Sequence, residues 1–215
     1  MSSLYGPDIV VETAIPALVN EQLFPEERAY IARAVETRQA QFGTARVCAR
    51  RALARLGVAP CALVPKSDRS PCWPRGIKGS IAHTERHCAV ALTDVHQIVA
   101  LGLDIESSSP LAAGLEELIC TQAERRWLRR YDRNAMGWLG PLVFSAKESF
   151  YKCQFPITET ILDFKDVELT FDLDAARFVV ADLRPDIPQR SILLRIEGKL
   201  CRTTDLIVTT ATLSA

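Results

Sequence analysis

The sequence predicts an α+β fold, and three observations carry that prediction. Apolar residues recur near a 3.6-residue period over residues 25–56, the spacing of a helix face. Short apolar runs separated by polar turns fill residues 79–104 and the last third of the chain, as in small antiparallel meanders. Two further helical stretches, 114–131 and 137–154, stand between these strand-rich regions, so helices and strands are segregated.

In the first stretch Ile31, Val35, Phe42, Ala45, Ala49, Leu53 and Leu56 mark the apolar side. Gly43 and Thr44 are expected to break it into two helices, and Gly57 to close the second. Residues 60–78, around PKSDRSPCWPRG, read as a loop with one short strand at 62–64. Strands are expected next at 79–82, 88–93 and 98–104. SSSPLAAG (107–114) has linker composition, so the chain divides into halves at 1–106 and 107–215. The second half is expected to close with strands at 167–171, 177–182, 192–197 and 206–212. Each half then begins with helices and ends in a strand meander.

The chain has 215 residues, 48 % of them apolar and 24 % charged, which is enough for a substantial buried core. Its 26 basic and 26 acidic residues cancel, which speaks against a nucleic-acid binder. No apolar run approaches the roughly 18–20 residues of a membrane span. The N-terminus, MSSLYGPDIVVETAI, lacks the basic and apolar regions of a signal peptide. Seven cysteines without a CxxC pair suggest reduced thiols in a cytoplasmic protein. His83 and His87 stand four apart in HTERH, but the flanking segments read as extended and no cysteine sits at ligand spacing, so zinc is not expected. The neutral total hides one strong asymmetry: residues 25–56 hold seven arginines against three glutamates, a local charge of +4.

Asp104 and Glu106 lie in ALGLDIES. On a strand, residues i and i+2 share a face, so the two carboxylates converge while Leu103 and Ile105 turn to the core. Convergent acids favour a hard divalent cation, Mg²⁺ or Mn²⁺; the alternative is a solvated strand end with two ordinary surface acids. On the predicted helix FSAKESFYK, Glu148 and Lys152 are i,i+4 neighbours, joined on their face by Ser145. Spacing alone leaves open whether they are catalytic or an ordinary ion pair worth about 0.3–0.5 kcal/mol.

GSIAHT (79–84), LGLDIE (101–106) and FSAKESFYK (144–152), in that order, resemble the signatures of the 4′-phosphopantetheinyl transferases of the Sfp and enterobactin-synthetase-component-D type. SPCWPRGIKGSIAHT (70–84) and RQAQFGTARVCARRAL (38–53) look like the actinobacterial members. The resemblance covers residues 25–170. It implies two similar α+β halves in a pseudo-twofold arrangement, a monomer with coenzyme A in the cleft between the halves. It also implies an activity: the phosphopantetheine arm of coenzyme A passes to a serine of an apo acyl or peptidyl carrier protein, releasing 3′,5′-ADP.

By the same resemblance Asp104, Glu106 and Glu148 are the Mg²⁺ ligands, and Glu148, or a water on the metal beside it, takes the serine proton. Lys152 neutralises the bridging phosphates, with Lys147 as a second candidate although a helix turns it about 100° away from Glu148. Arg38, Arg46, Arg69, His83 and Thr84 match positions that hold the adenosine 3′,5′-diphosphate; without the motif, these arginines and this histidine read as surface cations and a satisfied core imidazole. Two departures stand out. Ala82 replaces the small hydroxyl residue usual before the histidine, and Ala45 replaces a glycine common before Arg46. Two other readings use the same residues: a non-catalytic binding module for coenzyme A or carrier, and a metal-dependent phosphodiesterase acting on coenzyme A with water as nucleophile. Nothing in the sequence selects among fatty-acid, polyketide, siderophore and nonribosomal-peptide carriers.

Overall fold

The structure of the protein, a computed structural model, describes residues 4–131 and 136–215. It is α+β, as expected, and divides between His96 and Gln97 into two units. The first holds β1 (Val10–Ala14), α1 (Pro25–Ile31), α2 (Glu36–Arg55), β2 (Lys78–His83) and β3 (Cys88–Thr93). The second opens with β4 (Ile98–Ser107), α3 (Leu115–Ile119), α4 (Gln122–Leu128) and α5 (Leu139–Thr158). It continues with β5 (Val167–Asp172), β6 (Arg177–Leu183), α6 (Arg190–Leu193), β7 (Glu197–Arg202) and β8 (Leu206–Ser214).

In the first unit the antiparallel order is β1-β3-β2, with every residue of the central strand β3 buried. Helix α2 buries Ala45, Cys48, Ala49, Ala52 and Leu53, an i, i+3, i+4, i+7, i+8 stripe. Most of these side chains are small, so the helix lies close against Val90 and Leu92 of β3. The expected break at Gly43 and Thr44 is absent, and the two helices part at residues 32–35 instead. Gly43 is there for space: a Cβ would lie 2.8 Å from Val19 Cγ2. The Thr44 hydroxyl accepts from Ala17 N at 2.9 Å and donates to Ala17 O at 3.2 Å, so the Gly-Thr pair receives a crossing segment without interrupting the helix.

The strand expected at 62–64 does not form either. Leu63 N–H donates to Glu27 Oε1 (2.9 Å) and Leu63 C=O accepts from Arg46 Nε (2.9 Å), so side chains take the places of a neighbouring strand. The N-terminal strand β1, which carries no strong sequence signal, pairs instead with β3. Glu27 is fully buried and binds Arg50 Nη1 through both oxygens, at 2.8 and 2.9 Å.

The second unit has a five-stranded antiparallel sheet, β4-β8-β7-β6-β5. Because β4 is zipped along β8 from Ile98 to Ser107, it belongs to the C-terminal unit, and the expected division at residue 106 falls too late. The expected linker 107–114 is pinned at its start, where Ser108 N and Oγ donate to Asp205 O and Thr204 O at the β7–β8 turn. The single helix expected over 114–131 is two, because Thr121 and Glu124 form a reciprocal capping box that starts α4. The strand expected at 192–197 is instead the end of α6, a turn and the first residue of β7; Leu193 and Ile196 are both fully buried, and Ile196 N donates to Leu193 O across that turn (3.1 Å). Helix α5 presents Ala146, Phe150 and Cys153 to a core built with Leu169, Phe178, Val180 and Leu213. Among the described residues no helix is long and apolar enough to cross a membrane.

Candidate active site

Helix α5 and strand β4 approach unusually closely because residue 102 is glycine. A Cβ there would stand 1.8 Å from Ser149 O, so no side chain fits between helix and strand. That approach sets the face of α5 carrying Ser145, Glu148 and Lys152 over the carboxylates of β4. Ser145 Oγ meets Thr209 Oγ1 at 2.8 Å, and Thr209 is the β8 register partner of Asp104. Lys152 Nζ donates to Asp104 Oδ1 (2.6 Å) and to Leu103 O (3.2 Å).

Three carboxyls and one ammonium leave this cluster acid-rich and poorly solvated. Asp104 is buried, and its second oxygen, Oδ2, has no hydrogen-bond partner. Burial first, then Asp104, pushes Glu106 up to about 7; Lys152 opposes the rise and Glu148 adds to it. Burial likewise raises Glu148, with Lys152 lowering it and Asp104 raising it. Among the described residues no three His, Cys, Asp or Glu side chains close into a metal cage, and the ammonium of Lys152 holds Asp104. The donor set is nevertheless all hard oxygen, with an orphaned buried carboxylate atom and two carboxyls whose ionisation a cation would favour. These residues fit a hard divalent ion.

In the first unit Arg38 and His83 stand together, Arg38 Nη1 lying 2.9 Å from His83 Nε2. A guanidinium can only donate, so Nε2 is the acceptor and the imidazole carries its proton on Nδ1. Thr84 shapes the β2–β3 turn: its Oγ1 accepts from Arg86 N (3.2 Å) and His87 N (3.1 Å), and its carbonyl accepts from Gln41 Nε2 (3.4 Å). Arg46 is buried, its guanidinium 3.9 Å above the Phe42 ring. Desolvation lowers it to about 10, with Glu27 opposing and Arg38 adding to the drop. Arg69 lies on an exposed turn at φ 69°, in the left-handed region that costs a non-glycine residue about 1 kcal/mol or more. The turn is closed by Arg69 N donating to Lys66 O and Lys66 N donating to Ser70 O, both at 2.9 Å.

Two halves of the sequence match known families separately. Residues 26–93 match the 4′-phosphopantetheinyl transferase N-terminal domain, and residues 100–210 match the 4′-phosphopantetheinyl transferase superfamily. The chain belongs to the 4′-phosphopantetheinyl transferase superfamily. The two matches fall on either side of the division between the units. This transferase is 42 % identical to 4′-phosphopantetheinyl transferase Svp of Streptomyces mobaraensis, over 76 % of this chain and 67 % of that one. It is 34 % identical to Npt of Nocardia iowensis, over 77 % and 78 % of the two chains. The identity to PptT of Mycobacterium tuberculosis is also 34 %, over 77 % and 79 %. The protein is therefore an enzyme that uses coenzyme A to modify carrier proteins, as the motifs implied.

One expected ligand-binding residue of the transferase is placed elsewhere by the structure. Lys147 is 1 % exposed, and its Nζ donates to Ile119 O (2.9 Å), Phe164 O (2.7 Å), Val167 O (2.9 Å) and Glu124 Oε2 (2.7 Å). Every donor of the ammonium is engaged, so Lys147 does not serve coenzyme A; it bolts α5 to its neighbours. Its partner Glu124 also accepts from Leu169 N at 2.8 Å and Thr121 N at 2.7 Å. Sequence reasoning misses Glu124, although the T-x-x-E capping spacing marks it.

The raised Glu106 has a thermodynamic consequence for the apoprotein. Its folded pKa lies above that of an ordinary glutamate, so between roughly pH 4.5 and 7 the folded state binds more protons than the unfolded one, and this residue's contribution to stability falls as pH rises. A divalent cation held by these carboxyls would compete with that proton. Added Mg²⁺ should therefore raise the melting temperature at pH 8 and leave it unchanged at pH 5.5, read by differential scanning fluorimetry. An equal increment at both pH values would contradict the shared carboxylate site.

Proposed function

We propose that this transferase moves the 4′-phosphopantetheine arm of coenzyme A to a serine of an apo acyl or peptidyl carrier protein in a Mg²⁺-dependent reaction in the cytoplasm. The observation that carries the reading is the gathering, within the second unit, of Asp104, Glu106 and Glu148 around Lys152.

Asp104, Glu106 and Glu148 would hold the divalent ion, which when bound neutralises charge growing on the pyrophosphate oxygens. The serine oxygen attacks the phosphorus that bears the pantetheine arm, the bond to the bridging oxygen breaks, and 3′,5′-ADP leaves. Glu148 takes the serine proton; burial raises its basicity toward what a general base needs near neutral pH. Lys152 is about one quarter exposed on a flexible stem, so it can exchange Asp104 for a phosphate oxygen as charge builds there. In the first unit Arg38, His83 and Thr84 bind the adenosine 3′,5′-diphosphate, and Arg46 adds a buried cation to the same unit. Arg69 is the outlying member of this set.

The competing phosphodiesterase differs in its requirement for an acceptor. In the presence of Mg²⁺, 3′,5′-ADP should appear only when both coenzyme A and apo carrier are supplied. Its release from coenzyme A alone would establish hydrolysis instead. A binding module would release none.

A further inference from the structure

The carboxylate of Glu27 ties together three parts of the first unit. It is fully buried, and it accepts from Phe24 N (3.0 Å), Leu63 N (2.9 Å) and Arg50 Nη1 (2.8 and 2.9 Å). Those donors come from the entry to α1, from residues 60–66, which form no helix or strand, and from α2. Arg50 Nη2 donates to Gln22 O at 2.7 Å, so the guanidinium is fixed at both ends. Burying an ion pair is unfavourable, and an apolar pair of equal volume would join α1 to α2 as firmly. What the carboxylate adds is direction, because it holds the amide of a strandless segment in one place.

That segment leads to two cations of the coenzyme set. Leu63 is buried, and its carbonyl accepts from Arg46 Nε at 2.9 Å while its N–H is held by Glu27. With Nε engaged and the guanidinium 3.9 Å above the Phe42 ring, Arg46 has one orientation. Burial lowers Arg46 and the Glu27 carboxylate opposes that drop, so Glu27 also keeps this cation charged. Three residues beyond Leu63 begins the turn from Lys66 to Ser70, closed by its own backbone bonds and carrying the exposed Arg69. The nearest fully buried residue on its N-terminal side is Leu63.

We infer that Glu27 is a positioning residue for coenzyme A: through Leu63 it sets Arg46 and the turn bearing Arg69, and thereby the recognition of the 3′-phosphate. This rests on the proposed binding of adenosine 3′,5′-diphosphate by the first unit and goes further by naming a residue that acts without touching the ligand. The pyrophosphate is met in the second unit by Lys152 and the divalent ion, which leaves the 3′-phosphate to the cations of the first. Glu27 therefore governs how tightly coenzyme A is held and leaves the chemical step alone.

Coenzyme A and dephospho-coenzyme A, which lacks the 3′-phosphate, are compared as ligands by calorimetry without carrier and as substrates by steady-state kinetics. Glu27→Gln keeps the volume and one acceptor oxygen but removes the charge. It should raise Kd and KM for coenzyme A about tenfold, leave kcat and the carrier KM as in the wild type, and change dephospho-coenzyme A by no more than about twofold. Arg50→Gln loosens the same ion pair but leaves the bond between Glu27 and Leu63. It should lower the melting temperature as Glu27→Gln does, yet keep the wild-type preference for the 3′-phosphate. Equal losses for both ligands in Glu27→Gln, or the same loss of preference in both variants, would show a purely structural pair and overturn the inference. If either variant fails to fold, hydrogen exchange at the Leu63 amide of the wild type decides. Saturating coenzyme A should protect that amide more than saturating dephospho-coenzyme A does, and equal protection overturns the inference. A preference that depends on Glu27 in a protein that transfers nothing would uphold the positioning role and sink the proposed function.

Discussion

Glu148→Gln lowers carrier modification by about 10²–10⁴-fold, the range a positioned general base contributes, while coenzyme A binding largely survives. The amide keeps the size of the side chain, so the helix and its face over β4 persist. What disappears is the proton acceptor and one negative charge from a cluster that already holds Asp104 and Glu106. Because the Glu148 charge helps to raise Glu106, the substitution should also ease ionisation of Glu106. Steady-state kinetics with a saturating carrier, alongside coenzyme A binding by calorimetry, separates the effects. Retained turnover would remove Glu148 from the mechanism and leave it as half of a helix ion pair.

Lys147→Met is expected to act through stability. The thioether fills most of the volume of the lysine stem, but it leaves three backbone carbonyls and the Glu124 carboxylate without their cation. Removing one partner of a buried pair costs about 3–5 kcal/mol, far more than the intact pair contributes against an apolar replacement. For a chain of this size that corresponds to a fall of roughly 6–20 °C in melting temperature. Burial already raises Glu124, and without the ammonium it rises further, so the folded variant takes up a proton as the pH falls. The deficit should therefore be largest above neutrality and shrink toward pH 5. The double variant E124Q/K147M should recover part of the loss by removing the unpaired charge. A single variant that melts with the wild type at pH 8 would show that the pair does not hold α5 in place.

The sequence is most legible where one residue's neighbours in space are its neighbours along an element. Asp104 and Glu106 on a strand, and Glu148 and Lys152 on a helix, are paired by periods of 2.0 and 3.6 alone. That these two pairs share one site is carried by the family motifs, because the glycine contact that joins them, Gly102 against the Ser149 carbonyl, is a feature of tertiary packing. Lys147 shows the converse. Its place beside Glu148 in the motif suggests a phosphate ligand, yet the 100° step of the helix turns it into the core, where Glu124 waits on another element. Leu63 reads as strand by composition, but its backbone is satisfied by Glu27 and Arg46, and no local pattern reveals a strand replaced by side chains. The division between the units is misplaced for a similar reason: β3 and β4 are alike as apolar runs, and only pairing with the distant β8 tells them apart.

Transfer of the phosphopantetheine arm to a carrier serine by the Asp104, Glu106, Glu148 and Lys152 cluster is tested most directly by intact-mass spectrometry. An apo carrier is weighed after incubation with this protein, coenzyme A and Mg²⁺. The wild-type carrier should gain one phosphopantetheine mass, and a carrier whose acceptor serine is alanine should gain none. An unchanged carrier mass across a panel of apo carriers, under conditions where the protein is folded, would contradict the proposed reaction.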